Sequence, residues 1–139
     1  MRSSESMHAV DTNIVVRLLV ADDLPQFEAA QATFAVGPIW IAKTVLLETA
    51  WVLRTAYDFD DAMVCDAFTN LLGLPNTLVE DSDAILDALD LVTQGIQIAD
   101  AIHLTSRPPG ATFLSFDKAL VRRAQKAGVP SVATPAKPR

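Results

Sequence analysis

The sequence predicts an α/β fold in which helices cover both faces of a central parallel sheet of about four to five strands. The first observation behind this prediction is alternation, because short apolar segments typical of strands are separated by longer segments with helical patterns. The second is that a helix separates each strand from the next, so the connections are crossovers and favour parallel pairing. A chain of 139 residues is also long enough to bury the core of one such domain.

Five short segments are predicted to be strands. They are apolar and bounded by turn residues, and several contain the β-branched and aromatic side chains that suit a pleated sheet. The strongest signal is Thr-Phe-Leu-Ser-Phe at residues 112–116, whereas the last segment is expected at an edge. The predicted strands are residues 8–10, 39–42, 77–80, 112–116 and 129–132.

Seven further segments are predicted to be helices. Pro25 favours a helix start, whereas Gly73 and Gly128 favour helix ends. The predicted helices are residues 13–20, 25–36, a segment that contains Glu48 and ends near residue 57, 60–72, 82–93, 98–105 and 117–127.

A single domain is predicted between two short flexible ends. The first residues are polar and lack the apolar stretch of a signal peptide, and the last ones are rich in proline. Arg17 and Glu48 interrupt the two most apolar stretches, so no membrane span of about 18 apolar residues is expected. The predicted organisation is a flexible leader at residues 1–7, one domain at residues 8–133 and a flexible tail at residues 134–139.

Composition favours a cytoplasmic protein and places its charges unevenly. Cys65 is the only cysteine, so no intrachain disulfide can form, which suits a reducing compartment. The net charge of −6 argues against a general affinity for nucleic acid, because phosphate binding depends on clustered Lys and Arg. Basic residues nevertheless crowd the last quarter of the chain, which leaves room for a local basic surface.

Four acidic residues differ from the others in having apolar neighbours. Most Asp and Glu residues lie at predicted helix starts, in turns or on polar faces, where they cap backbone N–H groups or contact solvent. The four exceptions, called here the acidic quartet, are Asp11, Glu48, Asp100 and Asp117. Asp11 and Asp117 end predicted strands, which is where parallel α/β sheets bind ligands. Glu48 and Asp100 lie near the starts of helices that can present them at the same edge.

Converging carboxylates in apolar surroundings need a positive partner. Without one they would repel each other and raise one another's pKa values. Oxygen ligands with retained water are what Mg²⁺ and Mn²⁺ prefer, so the acidic quartet predicts a divalent metal site.

Each member of the acidic quartet also has a purely structural interpretation. Asp11 and Asp117 can cap the helices that follow them, and Asp100 can cap its own helix. Glu48 can form a salt bridge with an arginine such as Arg17. The metal hypothesis therefore depends on all four acids having these positions together.

The order and spacing of these residues resemble a known family. The sequence contains Val-Asp-Thr-Asn at residues 10–13, a central helix with Glu48, Ala-Asp-Ala-Ile-His-Leu at residues 99–104 and Leu-Ser-Phe-Asp at residues 114–117. Together these motifs resemble PIN-domain proteins and are most similar to the VapC-type toxins of bacterial toxin–antitoxin pairs. The resemblance extends from residue 8 to about residue 132.

This resemblance implies a three-layer PIN-like nuclease domain and a Mg²⁺- or Mn²⁺-dependent endoribonuclease that is the toxin of a type II toxin–antitoxin pair. It implies an RNA substrate, a homodimer, a cognate antitoxin that blocks the site, and larger toxin–antitoxin complexes. It assigns catalytic and metal-binding roles to all four members of the acidic quartet, where a divalent ion lowers the pKa of bound water and offsets charge on the phosphate. It adds supporting roles for Thr12, Asn13 and Ser115 as polar groups that orient the acids and bound water.

One position departs from the family pattern and keeps alternatives open. Many relatives have an acidic residue three positions before the equivalent of Asp100, where this chain has Gln97. An amide brings no charge, which weakens the case for a second metal ion and leaves open a PIN-like module that binds RNA or protein with little turnover. A phosphatase of the haloacid dehalogenase type ranks last, because Asn13 stands where its second Asp belongs.

RNA must reach an acidic site on an acidic protein. The basic residues that can form the rim of such a site, or merely solvated helix faces, are Arg17, Lys43, Arg54, Lys118, Arg122 and Arg123. Trp40 and Trp51 are expected to pack in the core rather than to stack against bases.

Overall fold

The computed structural model of the protein describes residues 6–138 and confirms an α/β fold. Residues 1–5 of the predicted leader and Arg139 of the predicted tail lie outside this part. The described residues form five strands, β1 His8–Ala9, β2 Ile39–Ile41, β3 Thr77–Val79, β4 Phe113–Leu114 and β5 Val132–Ala133. They form seven helices, α1 Thr12–Leu19, α2 Leu24–Val36, α3 Lys43–Ala56, α4 Asp61–Leu72, α5 Ser82–Thr93, α6 Ile98–Thr105 and α7 Lys118–Lys126.

Every strand pair in this part of the chain is parallel, as predicted, but the strands form two ladders. β2 pairs with both β1 and β3, and β4 pairs with β5. The largest sheet within residues 6–138 therefore has three strands, and a single central sheet of four to five strands is not confirmed. The last strand begins at Val132 rather than at residue 129, because Pro130 has no N–H to donate and Ser131 has a φ of 56°.

Helix boundaries lie close to the predicted ones because local signals set them. Asp23 accepts a hydrogen bond from the N–H of Gln26 at 3.1 Å, which starts α2, and Asp60 caps α4 in the same way. Gly73 ends α4, as its position in the sequence predicts. No helix among the described residues is both long and apolar enough to cross a bilayer.

The chain forms two compact units, with the boundary between Ser82 and Asp83. The first unit contains the sheet of β1, β2 and β3 with helices α1 to α4, and α1 packs against α2 and α3. Its central strand β2 contributes Ile39 and Ile41, which are fully buried with Phe68 of α4. Burying a side chain of this size contributes about 1.5–3 kcal/mol, so β2 anchors the first unit.

The second unit contains α5, α6 and α7 with the pair of β4 and β5. Its core includes Ile85 of α5, Ile102 of α6 and Ala124 of α7, all fully buried. Residues 134–138 at the end of this unit belong to no helix or strand.

A single arginine joins the two loops that precede β4 and β5. The half-buried Arg107 donates to the carbonyl oxygens of Ala111 at 2.9 Å, Ser131 at 2.7 Å and Pro130 at 2.6 Å. These carbonyls belong to irregular backbone that precedes two strands. The guanidinium therefore holds together the segments from which β4 and β5 begin.

Candidate active site

Glu48 faces solvent even though its helix is largely apolar. The buried positions of α3 are Leu46, Thr49, Ala50 and Leu53, which form one stripe at helical spacing. Glu48 lies off this stripe and is exposed. The expectation of apolar surroundings is therefore wrong for Glu48, because residues adjacent in the sequence of a helix point in different directions.

The Thr12 hydroxyl donates a hydrogen bond to Oε1 of Glu48. The two residues are 36 positions apart in the chain, and the packing of α1 against α3 brings them together. Thr12 directly follows Asp11, so this contact places Glu48 beside the segment that carries another member of the acidic quartet. It is also the contact that a supporting role for Thr12 requires.

Asp11 is the N-cap of α1, which agrees with its structural interpretation. Its Oδ1 accepts a hydrogen bond from the N–H of Ile14 at 3.1 Å. Asp11 is exposed, and the hydrogen bonds among described residues use only this oxygen, which leaves Oδ2 available to a ligand. The predicted supporting residue Asn13 is exposed and lines a small groove of about 180 Å³ with Ile14.

Asp117 repeats this arrangement in the second unit. It is the N-cap of α7, and its Oδ1 accepts from the N–H of Leu120 at 3.0 Å. Ser115 Oγ accepts from the backbone N–H of Asp117 at 3.0 Å, so this predicted supporting residue fixes the backbone rather than the carboxylate. Asp117 is exposed and also has one oxygen outside the hydrogen bonds of the described chain.

Asp100 occupies the first turn of α6 and is half-buried. The N-cap of this helix is Gln97, whose side chain makes no capping hydrogen bond, so the interpretation of Asp100 as an N-cap is wrong. A carboxylate in the first turn is favoured by the helix dipole. Asp100 is half-buried, whereas the other three members of the quartet are exposed.

The acidic quartet supplies oxygen donors of the kind that a small divalent cation takes. Asp11 and Glu48 belong to the first unit, and Asp100 and Asp117 belong to the second. Within residues 6–138, no three His, Cys, Asp or Glu side chains form a group that could hold a metal ion. Mg²⁺ keeps several waters and is usually bound through one or two carboxylates together with substrate phosphates. The two carboxylates of each unit are therefore suitable ligands for Mg²⁺ or Mn²⁺, although within residues 6–138 neither unit supplies a full set of protein ligands.

The basic candidates of the first unit are engaged in ion pairs. Arg17 donates to Asp22 at 3.0 Å and to the Tyr57 hydroxyl at 3.2 Å, so the alternative in which Arg17 forms a salt bridge with Glu48 is wrong. The Tyr57 hydroxyl also donates to Asp22 at 2.8 Å. These hydrogen bonds from and to Tyr57 raise the pKa of Arg17 and lower the pKa of Asp22. The remaining two candidates pair as Lys43 with Asp81 and Arg54 with Asp61.

The basic candidates of the second unit differ from those of the first in their ion pairing. Lys118, Arg122 and Arg123 are exposed on α7, and no ion pair within residues 6–138 engages them. They follow Asp117 directly in the chain. Cations available to a phosphate therefore occur next to the acid of the second unit.

Two aromatic residues lie at the surface near members of the quartet in the sequence, a position that no expectation above includes. Trp51, one turn after Glu48 on α3, is 66% exposed, so the expectation of core packing is wrong for this residue. Phe116, directly before Asp117, is 85% exposed. The exposure of Trp51 could have been predicted from a helical wheel of α3, on which Trp51 lies apart from the buried stripe. The exposure of Phe116 could not, because it depends on β4 ending at Leu114.

Comparisons with known proteins identify the family. No curated protein matches the chain. The model of the family described as PIN domain matches residues 9–126, a span that includes all four members of the acidic quartet. The chain therefore belongs to the PIN-domain family.

Proposed function

We propose that the protein is a divalent-metal-dependent endoribonuclease that hydrolyses RNA phosphodiester bonds with the acidic quartet. PIN domains are usually metal-dependent nucleases, so the family supports a hydrolase of this class. The observation that carries the proposal is Glu48, an exposed carboxylate held by the hydroxyl of Thr12 beside Asp11. No ion pair among the described residues neutralises Glu48, which leaves its charge available to a cation or to water.

In this proposal the acidic quartet and Thr12 have different roles in binding the ion and the attacking water. Asp11 and Asp100, with Asp117 or Glu48 through water, would hold Mg²⁺ or Mn²⁺. When bound, the ion supplies positive charge that stabilises a developing phosphorane and lowers the pKa of water. Glu48 or Asp117 orients the attacking water and accepts its proton. Thr12 holds Oε1 of Glu48, which leaves Oε2 to act on the water.

The finer assignment is the toxin of a type II toxin–antitoxin pair. Its support is the set of motifs at residues 10–13, 99–104 and 114–117 around the acidic quartet, which resembles VapC-type toxins. We propose a cytoplasmic homodimer that a cognate antitoxin inhibits in a larger complex. Co-purification of the protein with the product of a neighbouring small reading frame, and loss of cleavage in that complex, tests this assignment.

The primary test is cleavage of total cellular RNA with Mg²⁺ or Mn²⁺, and with EDTA, by the protein and by Asp11→Asn. Asparagine caps a helix as well as aspartate does, so the fold is expected to survive. The matched control is Asp60→Asn, because Asp60 is likewise an exposed N-cap in the first unit, with Met63 N–H donating at 2.8 Å. We expect Asp11→Asn to reduce the cleavage rate at least about hundredfold and Asp60→Asn to leave it unchanged. Full cleavage by a stably folded Asp11→Asn would contradict the proposal.

The second candidate function is a PIN-like module that binds RNA or protein with little turnover. Gln97 favours it, because this residue begins α6 with an exposed neutral side chain where many relatives have an acid. RNA binding without cleavage at any concentration of Mg²⁺ or Mn²⁺, by folded protein free of a partner, would favour this module over the nuclease.

A further inference from the structure

We infer that Phe116 stacks against an unpaired base of single-stranded RNA, while Lys118 and Arg122 bind the neighbouring phosphates. The inference rests on the proposed function and adds to it the residues that bind the RNA strand next to Asp117. It concerns the second unit alone, where these three residues flank Asp117 or follow it by one helical turn.

Phe116 lies exposed between Ser115 and Asp117, both of which form hydrogen bonds. Among the described residues, no large apolar side chain has a greater exposed fraction than its 85%. Ser115 accepts from the N–H of Asp117, and Asp117 accepts from the N–H of Leu120, so the backbone on both sides of the ring is hydrogen-bonded. The backbone that carries the ring is therefore held in place, so stacking against a ligand restricts only the two side-chain torsions of Phe116.

Lys118 and Arg122 provide charge on one side of α7. They are four positions apart, so they lie one turn apart on the same face of the helix. The buried residues Leu120, Val121 and Ala124 set the orientation of α7 and leave Lys118 and Arg122 exposed. No ion pair in the described part of the chain neutralises them, whereas the candidate cations of the first unit are all paired.

An exposed aromatic beside unpaired cations is the combination that binds single strands. The ring offers a face to any unstacked base, and the cations follow the phosphates of the backbone. Bases inside duplex RNA are stacked on each other and cannot reach the ring. The charge of this surface therefore favours a nucleic acid over an apolar protein partner.

Binding of a fluorescent eight-residue oligouridylate in EDTA tests the inference without cleavage. We expect Phe116→Ala to weaken binding about tenfold and Phe116→Tyr to retain it. The control is Leu114→Ala, since Leu114 is another exposed apolar residue, 56% exposed, two positions earlier. An abasic oligomer of the same length should bind the native protein and Phe116→Ala equally, because it has no base to stack.

The salt dependence of the same binding tests the phosphate contacts. Arg122→Gln should lower the slope of log affinity against log salt by about 0.7, the contribution of one phosphate contact on a single strand. Arg54→Gln should leave the slope unchanged, because Arg54 is paired with Asp61.

Three results would overturn the inference. They are no binding of the oligouridylate by native protein at low salt, equal affinity of the native protein and Phe116→Ala, and equal losses on the normal and abasic oligomers. Unchanged affinity with an altered oligomeric state in Phe116→Ala would assign the ring to a protein interface instead. The assay contains no metal, so it does not depend on cleavage. If Phe116→Ala weakens binding in a protein that never cleaves RNA, the proposed nuclease activity is refuted and the stacking inference is not.

Discussion

Thr12 shows how one side-chain contact connects distant parts of the chain to a candidate site. Its hydroxyl reaches Glu48 on another helix, although nothing in the short motif at residues 10–13 indicates which carboxylate it contacts. A hydrogen bond to a charged group contributes about 1.5–3 kcal/mol when its geometry is good. Thr12 is therefore a positioning residue for Glu48 in the proposed reaction.

The first prediction concerns this hydroxyl. Thr12→Val keeps the shape of the side chain and removes its donor, so we expect RNA cleavage to fall roughly tenfold as Glu48 loses its fixed orientation. Thr12→Ser keeps the donor and should retain most of the activity. Single-turnover cleavage rates, with melting temperatures to verify the fold, measure the difference. Equal rates for the valine and serine variants would remove Thr12 from the site.

Residue-level prediction worked where the signal was local and failed where it depended on packing. The capping roles of Asp11 and Asp117 follow from an acid directly before a helical pattern, and the structure contains both caps. The exposure of Trp51 and Glu48 depends on which side of α3 faces the core. A run of apolar letters does not reveal that side until the helical period is applied.

At the scale of elements, helices were predicted more accurately than strands. Helix ends carry caps, glycines and prolines in the sequence, but a strand two residues long is defined by the partner with which it pairs. No local sequence signal marks the start of α3. Its N-cap Ala42 has no side-chain acceptor, and Glu80, from beyond β3, accepts the Lys43 N–H at 2.9 Å instead.

The second prediction concerns Tyr57, which bonds to Asp22 and Arg17. The hydroxyl lowers the pKa of Asp22, so its stabilising effect is present above the unfolded-state pKa of about 3.9 and is lost as the pH falls through the folded-state pKa. Tyr57→Phe should therefore lower the melting temperature at pH 7 more than in strong acid. In an Asp22→Asn background, the effect of Tyr57→Phe should no longer change with pH. A pH-independent effect in the native background would contradict this account.

The third prediction concerns Arg107 and the loops before β4 and β5. Arg107→Met removes three hydrogen bonds from a charged donor to loop carbonyls, of which only that of Ala111 belongs to a half-buried residue, so we expect the free energy of unfolding to fall by about 2 kcal/mol. Arg123→Met, an exposed arginine on α7, should change it by less than about 0.5 kcal/mol. Denaturant unfolding compares the two, and equal effects would mean that the Arg107 contacts contribute little.

At the scale of the whole molecule, charge is divided between the two units. Residues 1–82 contain 4 Lys or Arg and 12 Asp or Glu, a net charge of −8, whereas residues 83–139 contain 7 and 5, a net charge of +2. The overall value of −6 hides this difference. RNA therefore has an electrostatic reason to approach the second unit, even though the chain as a whole repels it.

The fourth prediction is that divalent metal stabilises the folded protein. At a metal concentration about ten times the dissociation constant, binding contributes roughly 1.4 kcal/mol, which raises the melting temperature by about 5 °C. Asp117→Asn should reduce this shift, whereas Asp60→Asn, a cap outside the quartet, should keep it. Melting curves with Mg²⁺, Mn²⁺ and EDTA measure the shifts without depending on activity. Equal shifts in both variants would mean that the ion binds elsewhere.

The family could be predicted from the sequence, because its motifs follow one another in chain order and the family comparison covers the same region. The positions of the four candidate acids next to strands and helices follow from the same motifs, whereas their roles in a site stay predictions. The partners of Arg17, Lys43 and Arg54 could not be predicted, because ion pairs form between side chains that only folding brings together. For the same reason the sequence did not divide the basic residues into engaged and available ones.

The two capping aspartates have a consequence for how activity can be lost in a population. Asp11 and Asp117 each hold a helix start through an oxygen that asparagine also possesses. A single guanine-to-adenine change converts an aspartate codon into an asparagine codon. On the proposed toxin function, cells that survive expression with asparagine at residue 11 or 117 would still accumulate full-length, folded and inactive protein. Such alleles would then act as decoys that occupy the proposed antitoxin and release the intact copies.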